Sequence, residues 1–316
     1  MNPLMIALII VLVLLALLLL IGLAAVFYIF FFAPQYNRED PKPDPFMGED
    51  LPRFIKESDK ETARVKAAYP YETVSVKSDD GLTLYGSFFR NREPTDKTVL
   101  CVHGYNSCGF NDFALMIAPI LEHGYNCLLI DHRHCGASEG HYAGFGILES
   151  KDLLHWIALV NAYYPGGKIV LYGLSMGAST VMLASGLDLP KTVVGIVEDC
   201  GFTSGHEEFA AVLKKILHLP VFPLLNVLEG LTKLLLKFDL RTDVRGCLAA
   251  SRLPMLFLHG GADACIPVSM CEACYEACGG EKQMVVYEGA AHAQSHFRHP
   301  EAYERDFFAF VEKAMR

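Results

Sequence analysis

The chain has 316 residues, 52% of them hydrophobic, with 27 Lys and Arg against 36 Asp and Glu for a formal net charge of −9. The length allows one large or two ordinary domains, and the apolar content a sizeable core. The acidic balance weighs against a nucleic-acid partner, because no basic stripe exists to displace counterions from phosphate.

The N-terminus departs from that average. No charged side chain occurs from Met1 to Asn37, and Leu4 to Phe32 is almost wholly apolar. As a helix this stretch would reach roughly 43 Å, against a hydrocarbon core of about 30 Å. Residues 1–33 are therefore expected to be a single transmembrane anchor. A secretory signal peptide carries about 7–15 apolar residues behind a basic n-region, a pattern missing here. Arg38 and Lys42 lean the positive-inside reading toward a cytoplasmic catalytic domain, but Glu39 and Asp40 lie between them and the side stays open. Ten cysteines without regular spacing lean the same way, toward reduced thiols.

Residues 34–69 hold Pro34, Pro41, Pro43, Pro45 and Pro52 among many charges and predict an extended linker, with a helix over 55–68 running into a domain of residues 70–316. Glu72–Ser78 and Leu82–Phe89 alternate with period two around Asp79-Asp80-Gly81, an antiparallel hairpin. Short buried-strand runs then recur at 98–102, 126–130, 169–172, 193–197, 255–258 and 284–287. Helical patterns at 111–123, 147–164, 176–186, 268–278 and 300–315 alternate with them. The expected fold class is α/β: one eight-stranded, mostly parallel sheet with helices on both faces. An insertion at about 203–250 interrupts the alternation. Val212–Leu217 and Val227–Leu236 read as amphipathic helices separated by Pro220 and Pro223. It is expected to be a lid lining an acyl pocket; a second crossover on the sheet face is the alternative.

The chemistry gathers at strand ends, where open parallel sheets bind ligands. Lys168–Tyr172, then Gly173-Leu174-Ser175-Met176-Gly177, then a small apolar helix, give the strand–turn–helix setting of a nucleophile elbow. His103-Gly104 follows the 98–102 strand, Asp131 through Gly140 the next, Asp263 the 255–258 strand, and His292 the last. Serine, acid and histidine come in the order this topology uses.

On these motifs the chain resembles the α/β-hydrolases over about residues 70–316, and within them the membrane-anchored bacterial serine hydrolases related to serine aminopeptidases and monoglyceride lipases. The resemblance implies Ser175 as nucleophile, His292 as base and Asp263 as the carboxylate that orients it. It also implies an oxyanion hole from the backbone N–H groups of Met176 and Tyr105, with His103 and Gly104 supporting the loop. Asp199 and His296 are rivals for acid and base. Asp131 and Ser138 are expected to hold their loop by turn hydrogen bonds.

Metal readings are weaker. His132-x-His134 lacks the further Asp-His of a metallohydrolase. Cys271, Cys274 and Cys278, with Cys265 nearby, fall on one helical face and read as small buried hydrophobes before they read as zinc ligands. No cofactor or metal is expected. The function expected is cleavage of carboxylic esters or related acyl bonds in a small-molecule or lipid-like substrate, with the membrane as partner and oligomeric state open. Peptidase, thioesterase and acyltransferase activity use the same residues, and a catalytically silent tethered scaffold or a metal-dependent hydrolase are the readings from other classes.

Overall fold

The computed structural model describes residues 2–32, 38–44 and 46–316, so Pro34 and Pro45 of the expected linker lie outside the described residues. β1 (Glu72–Lys77) and β2 (Thr83–Phe89) pair antiparallel, Lys77 opposite Thr83 across the Asp79-Asp80-Gly81 turn. β3 (Lys97–Val102), β4 (Asn126–Ile130), β5 (Lys168–Leu174), β6 (Val193–Asp199), β7 (Met255–Gly260) and β8 (Lys282–Tyr287) complete one sheet in the order β1-β2-β4-β3-β5-β6-β7-β8. The pairings from β4 across to β8 are parallel, and β2 joins β4 antiparallel. Every residue of β4 is buried, as a parallel strand covered on both faces must be.

Period two sorts each central strand between two apolar layers. Val99 and Cys101 of β3 face one layer, with Phe113 and Ile117 of α3 (Gly109–Glu122) and Tyr303 and Phe307 of α11 (Pro300–Ala314). Leu100 and Val102 face the other, with Trp156 of α4 (Glu149–Tyr163) and Val181 of α5 (Met176–Ala184). Cys271, Cys274 and Cys278, on or just beyond α9 (Val268–Ala277), pack in that second layer beside Leu248 as small apolar side chains. All ten cysteines are free thiols.

Two elements differ from expectation. α2 (Leu51–Ala68) starts four residues earlier than the predicted helix and packs along α3, burying Leu51, Phe54, Ile55 and Val65. Pro52 sits in its first turn, where a missing N–H costs nothing. The expected linker therefore contains a docked helix. In the insertion, α6 (Gly205–Ala211), capped by the Ser204 hydroxyl, runs directly into a wide turn at Val212–Ile216. The predicted separate helix at 212–217 is the tail of α6, because no cap or breaker divides them.

The helices of the insertion divide between two apolar clusters. α8 (Val244–Ala250) buries Val244 and Leu248 on the sheet face, as a crossover does. α6 and α7 (Leu224–Leu235) instead join a third apolar cluster over the strand ends, with Met176, Phe145 and Phe202. The N-terminal helix α1 (Pro3–Phe27), long and apolar enough to cross a membrane, continues as a wide turn at Tyr28–Phe32, and Val26 and Phe30 enter that same third cluster. The remaining helix, α10 (Ser295–Arg298), is a single turn before α11.

Docking of α2 predicts that Ile55→Ala destabilises the folded domain by about 2–5 kcal/mol, the usual cost of truncating a buried isoleucine. Urea unfolding of the full chain should show a lower midpoint with an unchanged m-value. A midpoint equal to wild type would mean that α2 is a tether.

Candidate active site

The turn between β5 and α5 is built around two places where no side chain fits. A Cβ on Gly177 would lie 1.9 Å from the Val102 carbonyl oxygen, and one on Gly173 would lie 2.3 Å from that of Gly177. Between them Ser175 has φ 56° and ψ −117°, a region L residues seldom adopt, at a cost of roughly 1–3 kcal/mol. Its N–H donates to Asp199 O (2.8 Å), tying the turn to β6. The hydroxyl is thereby held above the sheet, and Met176 opens α5 with its N–H among the unpaired donors of a helix start.

The structure brings Ser175, His292 and Asp263 into one hydrogen-bonded line. Ser175 Oγ lies 2.9 Å from His292 Nε2, and His292 Nδ1 lies 2.7 Å from Asp263 Oδ2. Asp263 Oδ1 accepts from the N–H groups of Cys265 (2.9 Å) and Ile266 (2.8 Å), so the carboxylate can turn only one oxygen to the ring. With Asp263 accepting at Nδ1, the neutral imidazole carries its proton there and leaves Nε2 free to accept from serine. The two loops are stitched together: Gly261 N–H donates to Tyr287 O (2.7 Å) and Ala262 N–H to Ala290 O (2.9 Å).

His103 and Gly104 sit beside the serine. A Cβ on Gly104 would lie 3.3 Å from that of Ser175. His103 Nδ1 donates to Gly104 O (2.7 Å) and Nε2 accepts from the His132 N–H (2.9 Å), so both ring nitrogens serve the loop backbone. His132 in turn donates from Nε2 to His103 O, and burial beside His103 holds its pKa well below the ordinary value. The His132-x-His134 pair is thus loop architecture. Asp131 accepts from Gly109 and Ala137, and the Ser138 hydroxyl donates to Asp131 O. The sequence reading missed Asp112, whose carboxylate accepts from Gly104 N–H (2.7 Å) and Ser107 Oγ (2.5 Å). An acidic residue in the first turn of a helix facing a glycine loop was the available signal. With Gly104 N–H taken by Asp112, Tyr105 is the next N–H along the loop.

The rivals make other contacts. Asp199 is buried, accepts from the Tyr303 hydroxyl (2.8 Å), and is pushed by burial up to about 7. His296, on α10, pairs with Glu304 (2.9 Å). A second missed residue is Glu208 on α6. Its Oε2 is buried without a partner, its Oε1 faces the Cys265 thiol (3.6 Å), and burial raises it to about 8. Cys200, Asp263 and His292 bring potential ligand atoms within 4.8 Å of one another. Burial drives the Cys200 thiol well above its usual range and so protonates it, while the other two bond to each other, a poor metal-ligand set.

The apolar cluster that contains Met176, next to Ser175, is aromatic. Phe145 stacks on Phe202 (ring centroids 5.0 Å apart) and Phe209 (4.8 Å), and meets Tyr105 edge-on (5.8 Å).

Comparison with known proteins agrees with this architecture. The family described as alpha/beta hydrolase fold matches residues 97–222. Protein YqkD of Bacillus subtilis (strain 168) is 30% identical over 221 residues, covering 69% of this chain and 72% of YqkD. Protein YfhR of Escherichia coli (strain K12) is 21% identical over 249 residues, covering 77% of this chain and 81% of YfhR. Among solved structures, the Pyrococcus furiosus esterase Pf2001 superposes with a TM-score of 0.67 at 24% identity, covering 79% of this chain and 94% of the esterase.

The charge balance around His292 gives a measurable sign. Burial lowers its pKa, but the Asp263 carboxylate and its hydrogen bond outweigh that, so the net displacement is upward from 6.5. NMR titration of the ring should give a midpoint above 6.5 in the wild type. In Asp263→Asn the burial penalty is left without its chief opponent, and the midpoint should fall below the wild-type value. An unchanged midpoint would show that Asp263 does not govern the ring.

Proposed function

Since the chain belongs to the α/β-hydrolase family, we propose that it is a serine hydrolase that cleaves carboxylic esters or related acyl bonds through an acyl-enzyme intermediate. The observation that carries this reading is the 2.9 Å contact from Ser175 Oγ to His292 Nε2, backed by Asp263 at 2.7 Å. Serine is a weak nucleophile at its own pKa, so a base within hydrogen-bond reach is what its chemistry requires. As Oγ bonds to the acyl carbon, its proton passes to Nε2. Collapse of the tetrahedral intermediate breaks the bond to the leaving group, which takes that proton. Water then attacks the acyl-enzyme by the same route in reverse, freeing acid and serine.

Asp263 keeps the Nδ1–H tautomer and offsets the imidazolium that forms in each half-reaction. The oxyanion would be met by the N–H groups of Met176 and Tyr105, each donor worth about 10²–10³ in rate. The aromatic approach formed by Phe145, Phe202 and Phe209 supports an apolar acyl group over a charged one. The same residues would serve amides or acyl transfer to another alcohol. The N-terminal helix would hold the enzyme on a bilayer, consistent with its exposed apolar surface along Leu4–Leu20.

The test is covalent labelling of the full chain by a fluorophosphonate, followed by hydrolysis of p-nitrophenyl esters. Ser175→Ala should abolish labelling. Asp263→Asn should lower kcat by about 10⁴ by favouring the wrong tautomer. Retained labelling in Ser175→Ala, or a folded wild type that never labels, would sink the proposal. A chelator should leave the activity unchanged, and its loss would point to a metal instead.

A further inference from the structure

Along most of its length α1 is exposed, yet one face of its end is built into the catalytic domain. Gly22 and Val26 are buried and Leu18 half-buried, positions four apart on one side of the helix. Gly22 is where α7 comes closest: a Cβ there would lie 2.4 Å from Val227 Cγ1 and 3.0 Å from Leu231 Cδ1. Past the helix, Phe30 meets Phe145 (6.3 Å) and Phe238 (5.6 Å) edge-on, inside the cluster that contains Met176. The main chain is pinned as well. The Tyr105 hydroxyl donates to Ile29 O, and Ala143 N–H donates to Phe30 O (3.1 Å). Tyr105 belongs to the loop assigned to the oxyanion.

The lid surface next to this contact has an unusual character. Leu217, Leu219, Phe222, Leu234 and Leu235 are exposed, Phe222 by 75%. Lys214, Lys215 and Lys237 are exposed among them, as is Lys233, which pairs with Asp239 (2.8 Å). The one acidic residue between 212 and 237, Glu229, is turned inward to Arg241 (2.8 Å) and His206. In a chain of net charge −9 this is a local basic and apolar surface, continuous with α1. Apolar side chains with lysines at their margin are what an anionic bilayer surface receives.

We propose that α1 and α7 together form a bilayer-seated entrance whose inner end, Phe30, walls the acyl site, so that the substrate is the acyl ester of a lipid drawn sideways out of the membrane. This rests on the serine-hydrolase reading and on α1 as an anchor. The lid rides at the depth of Gly22, near the exit of α1 from the hydrocarbon. An acyl chain leaving the bilayer there meets Phe30, Phe145 and Phe202 before it meets Ser175. The anchor thereby becomes part of the specificity of the site.

Trp156 is the single tryptophan and is buried against the sheet, so a second one reports its own surroundings. Full-length Phe222→Trp and, separately, Leu12→Trp would be placed in nanodiscs of phosphatidylcholine and phosphatidylglycerol with acyl chains brominated near mid-chain. Both added tryptophans should lose most of their emission relative to unbrominated discs, while wild type loses little. Quenching in the Leu12→Trp protein alone would overturn the entrance and leave the anchor standing. Quenching in neither variant would overturn both, while fluorophosphonate labelling of the same samples reports separately on the serine. Phe30→Ala, assayed in micelles against p-nitrophenyl esters of graded length, should shift the preferred acyl chain to longer homologues. An unshifted profile would remove Phe30 from the pocket wall.

Discussion

The approach of α5 to the sheet is the constraint on which the rest of this site depends. Val102 O occupies the space a side chain on Gly177 would need, and the β3–β5 register sets Val102 opposite Gly173. Three neighbouring strands therefore meet at one turn, with β6 gripping Ser175 through Asp199 O. A serine held this way has little freedom to lose in meeting a partner. The partner arrives by the same logic. The loops after β7 and β8 are joined by main-chain hydrogen bonds, so Asp263 and His292 move as one body against a fixed serine.

Electrostatics around that body follow from burial. Glu198 and Glu208 are pushed to about 8 and Asp199 to about 7, mainly because their charged forms would lose water. Asp199 and Glu208 both bear on the His292 ring, and burial makes each of them slower to carry charge beside it. Asp263 is treated differently: two backbone N–H groups and the ring nitrogen converge on it. Glu208 and Asp199 each keep one buried oxygen without a hydrogen-bond partner among the described residues.

Much of this was legible in the sequence because it is local. The pentapeptide around Ser175 and the residues following each strand are short-range patterns, and a strand end fixes its own position in a parallel sheet. Glu208 was not legible, since its partner Cys265 meets it only through tertiary placement, whereas Asp112 left a local signal in the first turn of α3 that went unread. The start of α2 was hidden by Pro41, Pro43 and Pro52, which read as an extended linker although Pro52 is harmless in a first turn. The contact between α1 and α7 was hidden for the opposite reason. A helix that is apolar all round carries no stripe to mark which side is covered.

The periodic contact face of the N-terminal helix bears on how such a chain can change over generations. A simple tether tolerates insertions and deletions, since only its reach matters. Here Leu18, Gly22, Val26 and Phe30 must arrive in phase, and inserting one residue before Phe30 would turn it by about 100° about the helix axis. Exchanging the segment for another hydrophobic helix of similar length would therefore mean rebuilding the face of α7 that meets it.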